Sequence, residues 1–213
     1  MPDIAFQALG TTVRLIADDP RAVHRARAEI LDYHARLSRF LPTSELTALN
    51  EDPRATVPAS PLLRGALRAA LWAAELSGGL VDPCLLDQLV AAGYATSYEP
   101  PAQTPAPAGI LRAARPDPAA RWRDIAVADH AITRPPGLRL DLGGTGKGHA
   151  ADLVARRLTG QDFVVDCGGD IRVAGARSVQ VAHPLRLDPA AELVVADGAI
   201  ATSCLTSRAW LRS

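Results

Sequence analysis

Aromatic residues make up only 4% of the 213-residue chain. That scarcity argues against a surface on which nucleobases stack. No sign of charge is in excess either: 23 basic residues meet 23 acidic ones, for a formal net charge of zero. Nothing long-ranged would draw such a chain to nucleic acid or to an anionic membrane. Cysteine is sparse and odd in number. Cys84, Cys167 and Cys204 lie far apart with no Cys-x-x-Cys pair, so their spacing indicates neither a disulfide framework nor a zinc site. Cys167 and Cys204 read as small buried or half-buried side chains rather than nucleophiles. The five histidines show no metal-ligand spacing. No apolar run is long enough to span a bilayer. The opening MPDIAFQALGTTVRLIAD lacks the basic-then-apolar order of a secretory leader, and a cytoplasmic location is the expectation. What remains is a globular composition, 48% hydrophobic, in a chain long enough to bury a sizeable core.

Periodicity sets out the elements. Residues 3–17 alternate as a strand broken at Gly10. VHRARAEILDYHARLSRF carries Val23, Ala26, Ile30, Tyr33 and Leu37 at helical spacing. LLRGALRAALWAAELS predicts a second helix, stopped by Gly78 and Gly79. In VDPCLLDQLVAAGY, Asp82 stands where an N-cap belongs, Pro83 at the first helical position and Gly93 after the last turn. Residues 98–120 hold six prolines and no clear period, which predicts an exposed excursion. Short strands follow: Ile125–Val127, GLRLDL, FVVD, DIRVAG, SVQVAH and ELVVADGAIATS, with Asp197–Gly198 as a two-residue hairpin signal. One helix, HAADLVARRL, interrupts them. The expected fold class is α+β, or mixed α/β: a single domain over 1–213 with helices packed on a mainly antiparallel sheet.

Between GLRLDL and HAADLVARRL lies DLGGTGKG, Asp141–Gly148, with four glycines in eight residues. Glycine loses more backbone freedom on folding than any other residue. Such a run is expected where the backbone adopts φ > 0 or where something approaches it closely. A helix N-terminus with bare backbone and a lysine beside it has the physics of a phosphate cradle. The pattern is neither a Walker A loop, since Gly148 follows Lys147, nor a Gly-x-Gly-x-x-Gly fingerprint, since His149 stands at the last position. A tight turn with close helix packing explains it as well as phosphate does. VVDCGGDI supplies a second glycine turn edged by aspartate.

Six ordered stretches resemble the FAD:protein FMN transferases, the ApbE-type flavin transferases. LGTTVRL is similar to that family's Met-Gly-Thr strand, and LSRFLPTSELTALN to its Ser-x-Tyr-x-x-x-Ser-Glu-Leu-x-x-Leu-Asn stretch. GGLVDPCLLDQLVAAGY matches its Phe-Asp-Pro helix start, and DLGGTGKGHAADLV its Asp-Leu-Gly-Gly-Ile-Ala-Lys-Gly-Tyr-Ala-x-Asp. VVDCGGDI resembles Asn-x-Gly-Gly-Asp-Ile, and DGAIATSCLTSRAW the Ala-Thr-Ser turn.

The resemblance implies an enzyme that takes FAD, cleaves its pyrophosphate with the help of Mg²⁺, and leaves FMN on a threonine of a target redox protein, releasing AMP. The implied partners are FAD and that target protein, with no nucleic acid and no membrane anchor. Asp141 and Lys147 are the implied catalytic pair and also contact FAD. Leu9, Phe40, Leu80, Val81 and Asp82 are the other implied cofactor-binding positions. Leu9 also reads as a core leucine, Phe40 as packing under a helix end, Lys147 as a surface lysine. Gly144 falls where the family places a metal-ligating threonine, so only its carbonyl could serve. The family's His-x-Ile-Asp-Pro-x-Thr-Gly stretch, which supplies further metal ligands, has no counterpart in these 213 residues. The ApbE-like fold is therefore expected to be C-terminally incomplete, with Asp141, Asp170 and backbone carbonyls as the remaining donors. The resemblance also leaves open a relative that binds FAD with little or no transfer.

Overall fold

The computed structural model describes residues 1–97, 113–183 and 188–203. In chain order the elements are β1 (Asp3–Ala8), β2 (Thr11–Ala17), α1 (Pro20–Leu37), α2 (Glu45–Glu51), β3 (Thr56–Pro58), α3 (Pro61–Leu76), α4 (Leu86–Ala91), β4 (Ala126–Val127), β5 (Ala131–Thr133), α5 (Gly146–Arg157), β6 (Phe163–Cys167), β7 (Asp170–Ala174), β8 (Ala176–Ala182), β9 (Pro189–Ala196) and β10 (Ala199–Ala201). They fall into two units, which divide α1 after Leu31 and α5 before Ala150. Every strand pair is antiparallel, and the mixed α/β class is the one expected. No helix of the described residues is long and apolar enough to cross a membrane.

The first unit is a sheet in the order β1-β2-β6-β7-β10. Period-2 alternation sends Val13, Leu15 and Ala17 of β2, and Phe163, Val165 and Cys167 of β6, to one face. That face buries Ala22, Val23, Ala26 and Ile30 of α1, Ala151, Val154 and Ala155 of α5, and Leu158 just after it. The helical spacing of those residues is what lets each helix present one apolar stripe. The break expected at Gly10 is a two-residue turn, with Leu9 at φ 55° and Gly10 at φ 67°, a geometry suited to the strands' twist. Gly168 and Gly169 close the β6–β7 hairpin in the same way, at φ 71° and 94°. Asp197–Gly198 does not close a hairpin: β9 pairs with β8, whereas β10 pairs with β7. Asp197 instead accepts the Gly175 N–H at 2.9 Å, so the two residues carry the chain from one sheet to another.

The second unit holds α2, α3, α4 and the sheet β3-β5-β4. Ser60 caps α3, accepting from the Leu63 N–H, and Pro61 opens the helix. Leu63, Ala66, Leu67, Ala70 and Ala74 form its buried stripe, and Gly78 and Gly79, both at positive φ, end it as expected. Two expectations fail here. GLRLDL begins in a turn, with Gly137 at φ 77°, and joins no ladder among the described strands. The Asn50 side chain takes a strand's place: it donates to the Leu140 carbonyl at 2.8 Å and accepts the Leu140 N–H at 2.7 Å. And α4 starts at Leu86, not after Asp82. Asp82 closes a tighter turn by accepting the Cys84 N–H at 2.7 Å. The proline-rich stretch lies outside the described residues up to 112, and residues 113–120 join no helix or strand.

Glu45 ties α2 to the start of α3, accepting from the Ser60 amide and hydroxyl, both at 2.6 Å, and from Arg36 at 2.9 Å. Burial pushes its carboxyl up, but those hydrogen bonds reverse the shift and hold it below its ordinary 4.5. A carboxyl lowered in the folded state stabilises above its unfolded value, and that contribution is lost as pH falls through the folded one. Glu45→Gln should therefore be less stable at neutral pH and should lose less on acidification below about pH 4.5. Urea unfolding between pH 3 and 7 checks this, and parallel curves for the two proteins would contradict it.

Candidate functional site

The glycine run resolves into a turn and a helix start. Gly146 and Thr145 both donate to the Leu142 carbonyl, and α5 begins at Gly146 rather than at His149. None of the four glycines has positive φ. A Cβ on Gly143 would lie 2.9 Å from Asp141 Oδ1, so that position requires glycine. The other three do not. A Cβ on Gly144 would meet Val81 at 3.8 Å, one on Gly146 would meet Tyr33 at 3.7 Å, and one on Gly148 would meet nothing within 4 Å. Two of these glycines sit in the first helical turn, where glycine is about 1 kcal/mol worse than alanine. Neither backbone conformation nor packing accounts for them. What they leave is main chain without side chains at a helix N-terminus, an end whose partial positive charge favours anions. Lys147, half-buried, stands between two of them.

Asp141 is the pivot of the turn. Its Oδ1 accepts the Gly143 N–H at 2.9 Å. Its Oδ2 takes the Nε–H of Arg39 at 2.5 Å, in an ion pair whose side chains are 6% and 13% exposed. The Arg39 guanidinium lies 4.0 Å from the centroid of the Phe40 ring and 4.6 Å from that of Tyr94, and it also donates to the Tyr94 carbonyl at 2.8 Å. The two rings meet edge to face at 5.4 Å. Phe40 thus packs against Tyr94 and a cation as well as standing near a helix end. Neither Arg39 nor Tyr94 stood out in the sequence. The available signal was position: Arg39 adjoins Phe40, in a short stretch between buried Leu37 and the buried cap residue Ser44.

Around the turn, Val81 faces Gly144 and Leu80 is 55% exposed. The carboxylate of Asp82 is engaged by the backbone of Cys84. Burial, and then the charge of Asp82, push the Cys84 thiol up to about 12, so it is protonated and inert at neutral pH. His149 lies 3.2 Å through its Nδ1 from the Tyr33 hydroxyl.

Leu9 belongs to the other unit, half-buried at the hairpin turn against the sheet core. Three of the singled-out stretches converge there. A Cβ on Gly168 would lie 2.1 Å from Thr11 Oγ1, and one on Gly169 would lie 3.3 Å from Thr202 Cβ. The Thr202 N–H donates to the Gly169 carbonyl at 3.0 Å. Cys204 and the residues after it lie outside the described residues.

The described donors assemble no all-protein cage for Mg²⁺. Mg²⁺ takes an octahedron of oxygens, from one or two carboxylates, several waters and substrate phosphates. Gly144 offers a carbonyl alone, and both oxygens of Asp141 are engaged. Among the described residues no three histidine, cysteine, aspartate or glutamate side chains gather where they could hold a metal. What the second unit presents is a glycine turn that opens a helix, with two rings gathered about one buried ion pair.

The ApbE family's sequence model matches residues 9–212. Among solved structures, the chain is similar to the ApbE protein of Thermotoga maritima, with 22% identity and a TM-score of 0.76, covering 95% of this chain and 70% of that one. It is similar to the flavinyl transferase ApbE of Pseudomonas stutzeri, at 18% identity and 0.69, covering 92% and 66%. It also resembles the flavin transferase ApbE of Vibrio cholerae, at 19% identity and 0.71, covering 99% and 74%. At such identities these likenesses establish the fold. No curated protein matches the chain.

Proposed function

Since the chain belongs to the ApbE family, we propose that it transfers FMN from FAD to a threonine hydroxyl of a target protein. The hydroxyl oxygen attacks the FMN phosphorus, the pyrophosphate P–O bond breaks, AMP leaves with its phosphate, and the hydroxyl proton passes to solvent. Phosphoryl transfer of this kind asks a protein for positioning and for neutralisation of developing charge. One observation carries the reading: Gly144, Gly146 and Gly148 leave main chain bare at a helix N-terminus, where nothing in the fold requires glycine. In this reading that turn and Lys147 hold the pyrophosphate. Phe40, Leu80, Val81 and Asp82 line the same ligand, and Leu9 is the further flavin-contacting position that the family resemblance implies. In this reading Mg²⁺ is held with the ligand's phosphates, since the described residues assemble no cage of their own for it.

The test is titration of the purified chain with FAD, with and without Mg²⁺ and a threonine-bearing acceptor, followed by chromatography for FMN and AMP. AMP release with flavin appearing on the acceptor supports transfer. The engaged carboxylate of Asp141 favours a second reading, an FAD-binding relative with little transfer, and binding without AMP would select it. Tighter binding of ATP than of FAD would sink both.

Lys147→Ala should weaken FAD binding by about 1–3 kcal/mol, the range for a charge-assisted bond to phosphate. Gly148→Ala is the companion. It should hold or raise thermal stability while lowering affinity, because it adds a methyl group where only a ligand would meet it. Unchanged affinity in both variants, read by flavin fluorescence, would remove the cradle from the reading.

A further inference from the structure

We propose that Arg39 is the positioning residue of the glycine turn, acting through Asp141; the proposal rests on the flavin-transferase reading of that turn. A carboxylate is planar, so holding one oxygen orients the other. Arg39 holds Oδ2 at 2.5 Å, and Oδ1 then faces the Gly143 N–H at 2.9 Å. The arginine is itself held. Its side chain is 6% exposed, its guanidinium lies against the Phe40 and Tyr94 rings, and a second N–H is spent on the Tyr94 carbonyl. The pair therefore ties an aromatic platform to the anion-binding turn.

Charge gives the arginine a second task. A lone aspartate at the mouth of a phosphate cradle would repel its ligand, and Arg39 cancels that charge without taking the ligand's place. Lysine would supply the charge but not the planar fork that serves Asp141 and Tyr94 together while stacking on two rings. The catalytic role that resemblance implies for Asp141 becomes, in this geometry, the shaping of the turn.

The experiment measures FAD affinity by flavin fluorescence, and amide exchange of the ligand-free protein, for the wild type, Arg39→Ala, Arg39→Lys, Asp141→Asn and the double variant Arg39→Ala/Asp141→Asn. Arg39→Ala should weaken FAD binding by about 30-fold or more, the range for leaving a buried charge unpaired. Arg39→Lys should recover part of it. The double variant should bind FAD better than Arg39→Ala alone, because the second change removes the stranded carboxylate. A purely structural arginine would show no such rescue. Without ligand, the Gly143 amide should exchange roughly tenfold faster in Arg39→Ala. The Gly169 amide, held likewise by Asp166 at 2.9 Å, should not change. An Arg39→Ala protein with wild-type affinity, or a double variant no better than the single, overturns the proposal while the flavin reading stands. If the wild type binds no FAD, the flavin reading falls and Gly143 exchange decides: acceleration supports the positioning role, and an unchanged rate overturns it. If Arg39→Ala does not fold, Arg39→Lys carries the same comparison.

Discussion

Gly168→Ala should destabilise the protein by about 2–5 kcal/mol. Two penalties add. At φ 71° an alanine pays roughly 1–2 kcal/mol for the left-handed region. Its Cβ would also lie 2.1 Å from Thr11 Oγ1 and 2.8 Å from Thr11 Cβ, and overpacking of this kind costs about 1–3 kcal/mol. The threonine is too short to swing clear, and Val13, two residues on, is locked opposite Cys167. Gly160→Ala isolates the first penalty: its φ is 85° and a Cβ there meets nothing within 4 Å, so it should lose only about 1–2 kcal/mol. Gly168→Ala in a Thr11→Gly background should fall to the same level. Chemical unfolding of the four proteins reads these differences. Equal losses for Gly160→Ala and Gly168→Ala would show that the hairpin shifts to admit the methyl group.

Arg134→Ala should be as damaging, at about 2–5 kcal/mol, for a different reason. Arg134 is 1% exposed, and its only described acceptors are backbone carbonyls: Leu49 at 2.5 Å, Asp52 at 2.9 Å and Pro135 at 3.3 Å. Two of these close the C-terminal end of α2, where carbonyls lack helical partners. Burial lowers the guanidinium pKa, and Nε has no acceptor among the described residues, so the cation carries a desolvation penalty of its own. Alanine would leave a cavity and take the strongest hydrogen bond from the Leu49 carbonyl, which would keep, among the described residues, only the Asp52 N–H at 3.2 Å. Arg134→Met refills most of the volume and removes the buried charge, leaving the lost hydrogen bonds to the carbonyls as its main loss. It should therefore sit clearly between wild type and alanine in urea unfolding. Losses below about 1 kcal/mol for both variants would mean that the arginine's desolvation cancels what its hydrogen bonds contribute.

For the site, the glycine run pointed to Lys147, the family resemblance added Asp141 and Phe40, and the structure places all three in one unit. Neither could point to the partner that orients Asp141. Arg39 lies 102 residues away, and an arginine in a polar stretch has the same local signature whether it ends in solvent or against two rings. The puzzle of the glycines was also only half legible. Their number promised either positive φ or a close approach, and the structure removes the first alternative.

What the sequence by itself determined is what a few neighbouring residues decide. Val23, Ala26, Ile30, Tyr33 and Leu37 recur at helical spacing and are all buried. Ser60–Pro61 starts α3 and Gly78–Gly79 stops it. Gly10, Gly168 and Gly169 turn the chain, because caps, periods and positive-φ turns act within one or two turns of backbone. Tertiary structure decided whatever needed a distant partner. GLRLDL has the pattern of a strand, yet Asn50, 90 residues away, fills its hydrogen bonds and no strand pairs with it. Asp197–Gly198 has the chemistry of a hairpin, yet β8 claims β9 and β7 claims β10. In each case the local preference is worth about a kilocalorie per mole, and a buried backbone group left unpaired costs more than that. The long-range pairing that leaves the fewest such groups prevails.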